Sequence, residues 1–367
     1  MIETKVISDL TAMEQSVFNP MTEMGHEQVV FCNDKETGLK AIIAIHNTVL
    51  GPALGGTRMW NYQSEEEALR DVLRLSRGMT YKASITGLNL GGGKAVIIGD
   101  SKTQKSEALF RRFGKFINSL GGKYITAEDV GTSTKDMEWV SMETKHVTGI
   151  PRSRGGGGDP SPVTAYGVYK GMKAAAKHVY GTDSLEGKTI LVQGVGHVGE
   201  NLVNYISKEN AKVLITDINE KQLKYVSKEY GATVVDENIF DLEIDIYAPC
   251  ALGATLNDKS IDALNCKIVA GAANNQLANE ELHGQALMDK GIIYAPDFVI
   301  NAGGLINVYS ELIGYNRELA MSQTDKIYDF TLEILNLASK ENIPSHLAAN
   351  RMAEKRVQEI GKVKLGM

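Results

Sequence analysis

Hydrophobic and polar positions follow two different patterns along the chain, and the change divides it into two parts. Up to about residue 150, short apolar runs at 29–32, 39–46 and 95–98 are typical of strands. Between them, Ser64 begins a capping sequence that apolar residues follow at helical spacing, and 106–120 shows a second amphipathic helix pattern. This part is therefore predicted to be a mixed α/β unit.

The second part repeats a short apolar run followed by a helical pattern. The runs are TILVQ, KVLIT, DIYAP, KIVAG and GIIYAP, all between residues 189 and 296. Such alternation is typical of a parallel sheet with helices on both faces. We therefore predict an α/β protein of two domains with a cleft between them. The first domain is 1–148, rejoined by a C-terminal helix at 341–367, and the second is a doubly wound domain at 149–340.

Composition and charge exclude several classes of function. The chain has 367 residues, of which 43% are hydrophobic and 23% charged, as in ordinary globular proteins. The formal net charge of −6 argues against a nucleic-acid partner. No apolar run reaches the roughly 18 residues of a membrane span, so we expect no membrane contact. The acidic, polar N-terminus also lacks the pattern of a secretory signal.

The cysteines indicate the compartment. Cys32, Cys250 and Cys266 are far apart, form no even-numbered framework and lack the spacing of metal ligands. They are typical of reduced thiols, so we expect a cytoplasmic protein with no metal site.

A glycine-rich turn follows the first strand of the second part. Its residues are Gly194, Val195, Gly196, His197, Val198 and Gly199. The first glycine allows a tight turn, the second lets the backbone approach a pyrophosphate, and the third lets the following helix pack close to the strand. The next strand ends at Asp217, whose carboxylate suits the hydroxyls of a ribose and repels a 2′-phosphate. This pattern predicts a Rossmann-type site for NAD; a tight turn without a ligand is the simpler alternative.

Two lysines beside glycines are the candidates for chemistry in the first part. Lys82 ends the segment GMTYK, and Lys94 ends GGGK. The second segment is not a phosphate-binding P-loop, because Leu88 and Ala95 stand where that motif needs glycine and Ser or Thr. If the two ammonium groups meet in one pocket, one could act as a base while the other holds a substrate carboxylate. Two solvated surface charges are the plain alternative.

Nine segments together resemble the amino acid dehydrogenase family, which comprises glutamate, leucine, phenylalanine and valine dehydrogenases. They are GPALGGTRMW (51–60), GMTYK (78–82), GLNLGGGKAVIIGD (87–100), YITAEDVGT (124–132), DPSPVTAYGVYKGMKAAAK (159–177), QGVGHVG (193–199), YAPCALGA (247–254), NNQL (274–277) and YAPDFVINAGGLINV (294–308). The chain is most similar to the leucine-specific members. The resemblance implies NAD-dependent, reversible oxidative deamination of leucine, valine or isoleucine to a 2-oxo acid, ammonia and NADH. It also implies a homo-oligomer, commonly an octamer.

The same resemblance implies roles for individual residues. Lys82 would bind the substrate carboxylate, Lys94 would be the catalytic lysine that activates water, and Asp129 would exchange protons with the amino group. The contacts of the nicotinamide and the substrate would include Thr164, Asn274 and Asn301. From the residues alone, Asp129 could equally be a helix cap or an exposed turn acid.

The residues of the side-chain pocket argue against glutamate as the substrate. Glutamate enzymes of this family carry a lysine where this chain has Leu54, just before Gly55. A substrate carboxylate left unpaired beside Leu54 costs several kcal/mol. The other pocket positions implied by the resemblance are Met79, Ala127, Leu305 and Val308. These residues suit a branched aliphatic side chain, although ordinary core packing is the plain alternative.

Two positions leave other activities open. Gly93 and Leu305 are closer to phenylalanine-specific members, whereas Ala127 favours smaller substrates. A phenylalanine or valine dehydrogenase therefore remains an alternative. A catalytically silent, NAD-binding regulatory protein is a further alternative, which the presence of Lys82, Lys94 and Asp129 disfavours.

Overall fold

The structure, a computed structural model, describes residues 17–235 and 239–364. The chain forms two compact units. The first contains the described residues up to 80 together with 89–150, and the second contains 81–88 and the described residues from 151 onward. Among the described helices, none has both the length and the apolar character that crossing a membrane requires.

The units do not coincide with the predicted domains, because residues 81–88, which the prediction placed in the first domain, lie in the second unit. Residues 341–367 were expected to rejoin the first domain, but the C-terminal helix belongs to the second unit. The reason is its packing against 81–88: Arg356 donates hydrogen bonds to the carbonyl oxygens of Ser84 and Leu88, and Ser84 donates to the carbonyl of Ala353. The predicted domain limits and the cleft between the domains stay predictions.

The first unit is built on a mixed six-stranded sheet. Its strands are β1 (Gln28–Asp34), β2 (Leu39–Asn47), β3 (Ala53–Leu54), β4 (Thr57–Trp60), β5 (Gly91–Ile98) and β6 (Tyr124–Ile125). Its helices are α1 (Phe18–Met24), α2 (Glu65–Ile85), whose last turn enters the second unit, α3 (Glu107–Ser119) and α4 (Thr134–Ser141). The strand order is β1-β2-β5-β3-β6, and β4 also pairs with β5.

Helices cover both faces of this sheet, which explains the uninterrupted apolar run in β2. Ile43 and Ile45 pack with α3 and α4, whereas Ile42 and Ala44 pack with α2 on the other face. A strand buried on both faces has no polar side to expose.

β5 begins earlier than its apolar run predicts, because the glycines before Lys94 are part of the strand. A Cβ at Gly91 would lie 2.0 Å from the carbonyl oxygen of Asn47, and one at Gly92 would lie 2.1 Å from the hydroxyl of Thr80. Only glycine allows β5 to approach β2 and α2 this closely. The close approach places Lys94 in the buried middle of the sheet.

The second unit is a parallel six-stranded sheet with flanking helices. Its strands are β7 (Thr189–Gln193), β8 (Lys212–Thr216), β9 (Thr233–Val234), β10 (Ile246–Pro249), β11 (Ile268–Val269) and β12 (Ile293–Tyr294). Its helices are α5 (Ser161–Tyr180), α6 (His197–Ile206), α7 (Glu220–Tyr230), α8 (Asp258–Ala263), α9 (Glu280–Asp289), α10 (Asp297–Ile300), α11 (Gly303–Leu312), α12 (Arg317–Asp325), α13 (Ile327–Glu341) and α14 (Ser345–Lys364).

The strand order β12-β11-β10-β7-β8-β9 is that of a doubly wound Rossmann-type sheet. The order reverses between β7 and β10, and open sheets of this kind bind ligands beyond the carboxyl ends of the strands at such a point. The predicted α/β fold class is confirmed.

Candidate active site

A buried ion pair joins two of the predicted catalytic residues in the first unit. Lys94 lies on β5 and is only 5% exposed. Its Nζ is 3.0 Å from Oδ1 of Asp129, which follows β6. The hydroxyl of Thr132 accepts a hydrogen bond from the backbone N–H of Asp129 and so holds this segment. Because a buried ammonium group is costly unless paired, the two side chains fix each other's position.

A second cation, Arg58 on β4, binds the other oxygen of the same carboxylate. Its Nε is 3.2 Å from Oδ2 of Asp129. Burial acts to raise the pKa of Asp129, but the charges of Lys94 and Arg58 outweigh burial and hold that pKa below its ordinary value. Asp129 is therefore an anion at neutral pH. Arg58 was not predicted from the sequence, because its signal, a charged residue between the buried Thr57 and Met59, requires the burial of its neighbours to be known.

Several of the predicted pocket residues lie next to this ion pair in the first unit. Leu54 is buried and pairs with Gly92 on β5. A Cβ at Gly55 would lie 1.8 Å from the carbonyl oxygen of Gly93 and 3.3 Å from Cγ of Met79, so these elements touch. Ala127 is also buried. This wall is apolar and carries no cation at the position of Leu54.

Gly93 has a packing role of its own. A Cβ there would lie 2.8 Å from the ring of Tyr124 and 3.1 Å from Cβ of Ala53. The hydroxyl of Tyr124 donates a 2.6 Å hydrogen bond to the carbonyl oxygen of Gly55. Gly93 thus leaves room for a buried ring that supports the pocket wall, which accounts for this glycine without reference to the substrate.

Lys82 and two predicted asparagines meet in the second unit. Lys82, in the last turn of α2, has its Nζ 3.5 Å from Oδ1 of Asn274, and Nδ2 of Asn301 donates to the same oxygen at 2.7 Å. Asp297 is a buried neighbour that was not predicted from the sequence. Burial raises the pKa of Asp297, and the nearby charge of Lys82 acts against that rise. Lys82 is therefore an oriented cation.

The remaining pocket positions lie on α11. Leu305 is buried and Val308, one turn further along the helix, is half-buried. Both belong to the second unit.

The glycine turn has the geometry that a pyrophosphate needs. Gly194 has a φ of 96°, which favours glycine, and a Cβ at Gly199 would lie 2.0 Å from the carbonyl oxygen of Gly194. A Cβ at Gly196 would meet no described atom within 4 Å, so this side of the turn is open. α6 begins here without a side-chain cap, and the first N–H groups of a helix have no partner within it. The turn and α6 therefore fit an anionic group.

The other residues of the turn support this fit through their backbone. Val195 is buried, Val198 is half-buried, and the side chain of His197 is 84% exposed. Asp217 accepts hydrogen bonds from the N–H groups of Val195, at 2.7 Å, and Asn219. A carboxylate has about four acceptor sites, so these bonds leave capacity for ribose hydroxyls.

One acceptor suits the carboxamide of a nicotinamide. Asn301 is 6% exposed, and its Oδ1 has no hydrogen-bond partner among the residues that the structure describes. A buried acceptor without a donor is costly, and an amide N–H would satisfy it. Thr164 on α5 donates its hydroxyl to the carbonyl oxygen of Pro160. The residues present thus fit a nicotinamide dinucleotide at its pyrophosphate, ribose and nicotinamide.

Two family models match the chain. One, described as the dimerisation domain of Glu/Leu/Phe/Val dehydrogenases, matches residues 26–146. The other, described as Glutamate/Leucine/Phenylalanine/Valine dehydrogenase, matches residues 155–220 and 214–364. The chain belongs to this dehydrogenase family. The predicted resemblance is confirmed, and so is the expectation of an amino acid dehydrogenase.

Comparison with individual relatives supports the same family assignment. The chain is 58% identical to a leucine dehydrogenase of Thermoactinomyces intermedius over 349 residues, which is 95% of each chain. It is 56% identical to a leucine dehydrogenase of Geobacillus stearothermophilus over the same share of both chains. The crystal structure of L-tryptophan dehydrogenase from Nostoc punctiforme superposes with a TM-score of 0.84 at 46% identity and covers 94% of this chain and 99% of that one.

Proposed function

We propose that this dehydrogenase catalyses the reversible, NAD-dependent oxidative deamination of branched-chain L-amino acids, with leucine as the preferred substrate. The products are the 2-oxo acid, ammonia and NADH. The observation that carries the proposal is the buried Lys94–Asp129 ion pair beside the apolar wall at Leu54. The high identity to leucine dehydrogenases supports the choice of substrate.

Lys82 holds the α-carboxylate of the substrate in this proposal. Its ammonium group is oriented by Asn274, which Asn301 positions in turn. A carboxylate gives such a cation a charge-assisted hydrogen bond, so the amino acid binds in one orientation.

The residues that would hold the coenzyme are those of the glycine turn, 194–199, for the pyrophosphate, and Asp217 for the ribose. Thr164, Asn274 and Asn301 would position the nicotinamide end. NAD, when bound, supplies the acceptor for the α-hydride of the amino acid. The negative charge of Asp217 disfavours the 2′-phosphate of NADP.

Lys94 and Asp129 act on the substrate carbon that loses its hydride. Lys94 activates the water that adds to the iminium carbon and stabilises the oxygen of the resulting carbinolamine with its ammonium group. Asp129, held as an anion, accepts and returns the proton of the amino group. Collapse of the carbinolamine releases ammonia and leaves the 2-oxo acid.

The side-chain pocket selects the amino acid. Leu54, Met79 and Ala127 of the first unit are all apolar, and so are Leu305 and Val308 of the second unit. Neither group of residues offers a glutamate side chain a partner in place of its hydration. Valine lacks one methylene of leucine, and isoleucine differs from leucine only in its branch point. One methylene changes the free energy of binding by only about 1–3 kcal/mol, so both amino acids are also accepted.

Self-association belongs to the same proposal. We infer a homo-oligomer, because the family model that matches the first unit is described as a dimerisation domain. The octamer that the family resemblance implies stays a prediction. Light scattering on the protein as it elutes from a size-exclusion column would measure the subunit number. The cytoplasmic location stays a prediction that cell fractionation would check.

Initial rates on a panel of amino acids test the proposed activity. The full chain is assayed for coenzyme reduction with leucine, valine, isoleucine, phenylalanine, tryptophan and glutamate, each with NAD and with NADP. We expect the highest kcat/KM with leucine and NAD and the lowest with glutamate. A higher kcat/KM with phenylalanine or tryptophan would show that leucine is not the preferred substrate. If no amino acid supports reduction of the coenzyme at any pH, the alternative of a catalytically silent regulatory protein would be favoured.

A further inference from the structure

Arg58 lies at the centre of a chain of charges that ends at the catalytic carboxylate. Its Nε binds Oδ2 of Asp129 at 3.2 Å, and its Nη1 binds Oδ2 of Asp71 at 2.8 Å. Asp71, on α2, is itself held by the hydroxyl of Tyr62 at 2.7 Å and by Arg74 at 3.3 Å. The side chains of Arg58 and Asp71 are 21% and 15% exposed, so this chain of ion pairs is largely shielded from solvent.

We propose that Arg58 is a positioning residue of the deamination reaction, which holds the Asp129 carboxylate in the orientation and charge state that Lys94 requires. This inference rests on the proposed function above. Arg58 touches Asp129 rather than the substrate, so it acts through that carboxylate.

The two oxygens of Asp129 are divided between two cations. Oδ1 faces Lys94 and Oδ2 faces Arg58. With Lys94 alone, the carboxylate could rotate and offer either oxygen, and the geometry of proton exchange would vary. The planar guanidinium prevents this, because it is fixed on its other side by Asp71. Arg58 thus selects one rotamer of Asp129.

The positive charge of Arg58 also affects the ionisation of Asp129. When Lys94 gives up its proton during the reaction, Asp129 loses one of its two neighbouring cations. Arg58 cannot be deprotonated in this range and continues to compensate the carboxylate. Asp129 is therefore still ionised when it has to accept the proton of the amino group, although burial favours its neutral form.

A cavity gives small solutes access to Arg58. It has a volume of about 490 Å³, and Arg58, Asp71 and Val130 are among its lining residues. Truncation of Arg58 would extend this cavity toward Asp129. A guanidinium ion from solution could then occupy the vacated position.

Steady-state kinetics on three variants test the proposal. In Arg58→Gln, kcat with leucine falls at least about 10-fold with little change in KM for leucine or NAD, since misplacing a catalytic group by about 1 Å can cost about 100-fold. Arg58→Lys keeps the charge and recovers part of kcat. In Arg58→Ala, added guanidinium chloride at non-denaturing concentration raises kcat in a saturable manner, whereas sodium chloride at equal ionic strength does not.

Arg70→Gln is the matched control, because Arg70 lines the same cavity but pairs with Glu66 on the solvent side of α2. It should keep the wild-type kcat and show no response to guanidinium. Wild-type kcat in all three Arg58 variants would overturn the proposal. The proposal would also be overturned if kcat fell together with the melting temperature, Arg58→Lys recovered no activity and guanidinium gave no rescue. Arg58 would then have only a structural role. Absence of wild-type activity would instead reject the proposed function.

Discussion

At the scale of single residues, the site depends on charges that are buried together. Lys94 is nearly inaccessible, yet it is paired with Asp129, and Asp129 is shared with Arg58. Removal of one member leaves the charges of the others without full compensation, and such losses are strongly destabilising in a buried site. This interdependence predicts that changes at the pair affect turnover more than coenzyme binding.

Lys94→Ala should lower kcat for leucine by about 100-fold or more, because general acid–base groups contribute about 10²- to 10⁴-fold. The affinity for NAD should be nearly unchanged, since the residues proposed to bind it lie in the second unit. Single-turnover kinetics and equilibrium titration with NAD would measure the two effects. Lys102→Ala, at an exposed turn, is the control. Parallel loss of NAD binding would show that Lys94 is structural.

Asp217 accepts a hydrogen bond from the turn and is proposed to bind the ribose, and two substitutions can separate these functions. Asp217→Asn retains an acceptor for the N–H of Val195 but removes the charge, whereas Asp217→Ala removes both. We expect both variants to raise the ratio of kcat/KM for NADP to that for NAD, and only Asp217→Ala to lower the melting temperature clearly. An unchanged coenzyme ratio in Asp217→Asn would contradict the assignment of Asp217 to the ribose.

A buried histidine makes stability depend on pH. His346 is 3% exposed, neither of its ring nitrogens has a hydrogen-bond partner in 17–235 or 239–364, and burial lowers its pKa to about 4. Between about pH 6.5 and 4 the unfolded chain therefore binds a proton that the folded chain does not. The free energy of unfolding should fall as the pH is lowered through this range.

Chemical denaturation at several pH values would measure this dependence. His346→Leu should reduce the slope without abolishing it, because burial also lowers the pKa of His26 to about 4. His197→Asn, at a highly exposed side chain, should keep the wild-type slope. An equal slope in His346→Leu and the wild type would refute the role of His346.

At the scale of secondary structure elements, glycines decide how closely strands and helices approach. The pattern predicted most strands and the turn at 194–199, because apolar runs and glycine spacing are local signals. It did not predict that Gly91–Gly93 belong to β5, since glycine weakens a strand unless the packing requires it. That requirement comes from Asn47 and Thr80, which are distant in the sequence.

Two alanine substitutions in the glycine turn should affect different properties, one the thermal stability and the other the affinity for NAD. Gly199→Ala would place its Cβ 2.0 Å from a backbone oxygen, so we expect a lower melting temperature. Gly196→Ala meets no described atom and has a φ of −66°, so the melting temperature should be maintained while the affinity for NAD falls, because the Cβ occupies the approach of the pyrophosphate. Thermal unfolding and NAD titration distinguish the two. Unaltered NAD affinity in Gly196→Ala would contradict the coenzyme site.

At the scale of the whole molecule, two sheets of different topology carry different parts of the chemistry. The unit built on the mixed sheet contains Lys94 and Asp129, and the unit built on the parallel sheet contains the glycine turn and Lys82 with Asn274 and Asn301. The sequence could predict the parallel sheet from its repeated pattern. It could not predict that Arg58 meets Asp129 or that Asp297 lies near Lys82, because contacts between residues far apart in the chain leave no local pattern.

Transfer of the α-hydrogen tests the central claim most directly. L-leucine that carries deuterium at the α-carbon is incubated with the full chain and NAD, and the reduced coenzyme is examined by mass spectrometry. The account predicts one deuterium in each reduced coenzyme, with formation of the unlabelled 2-oxo acid and ammonia. Deuterium released to water, or turnover of leucine without label in the coenzyme, would contradict direct hydride transfer from a substrate held by these residues.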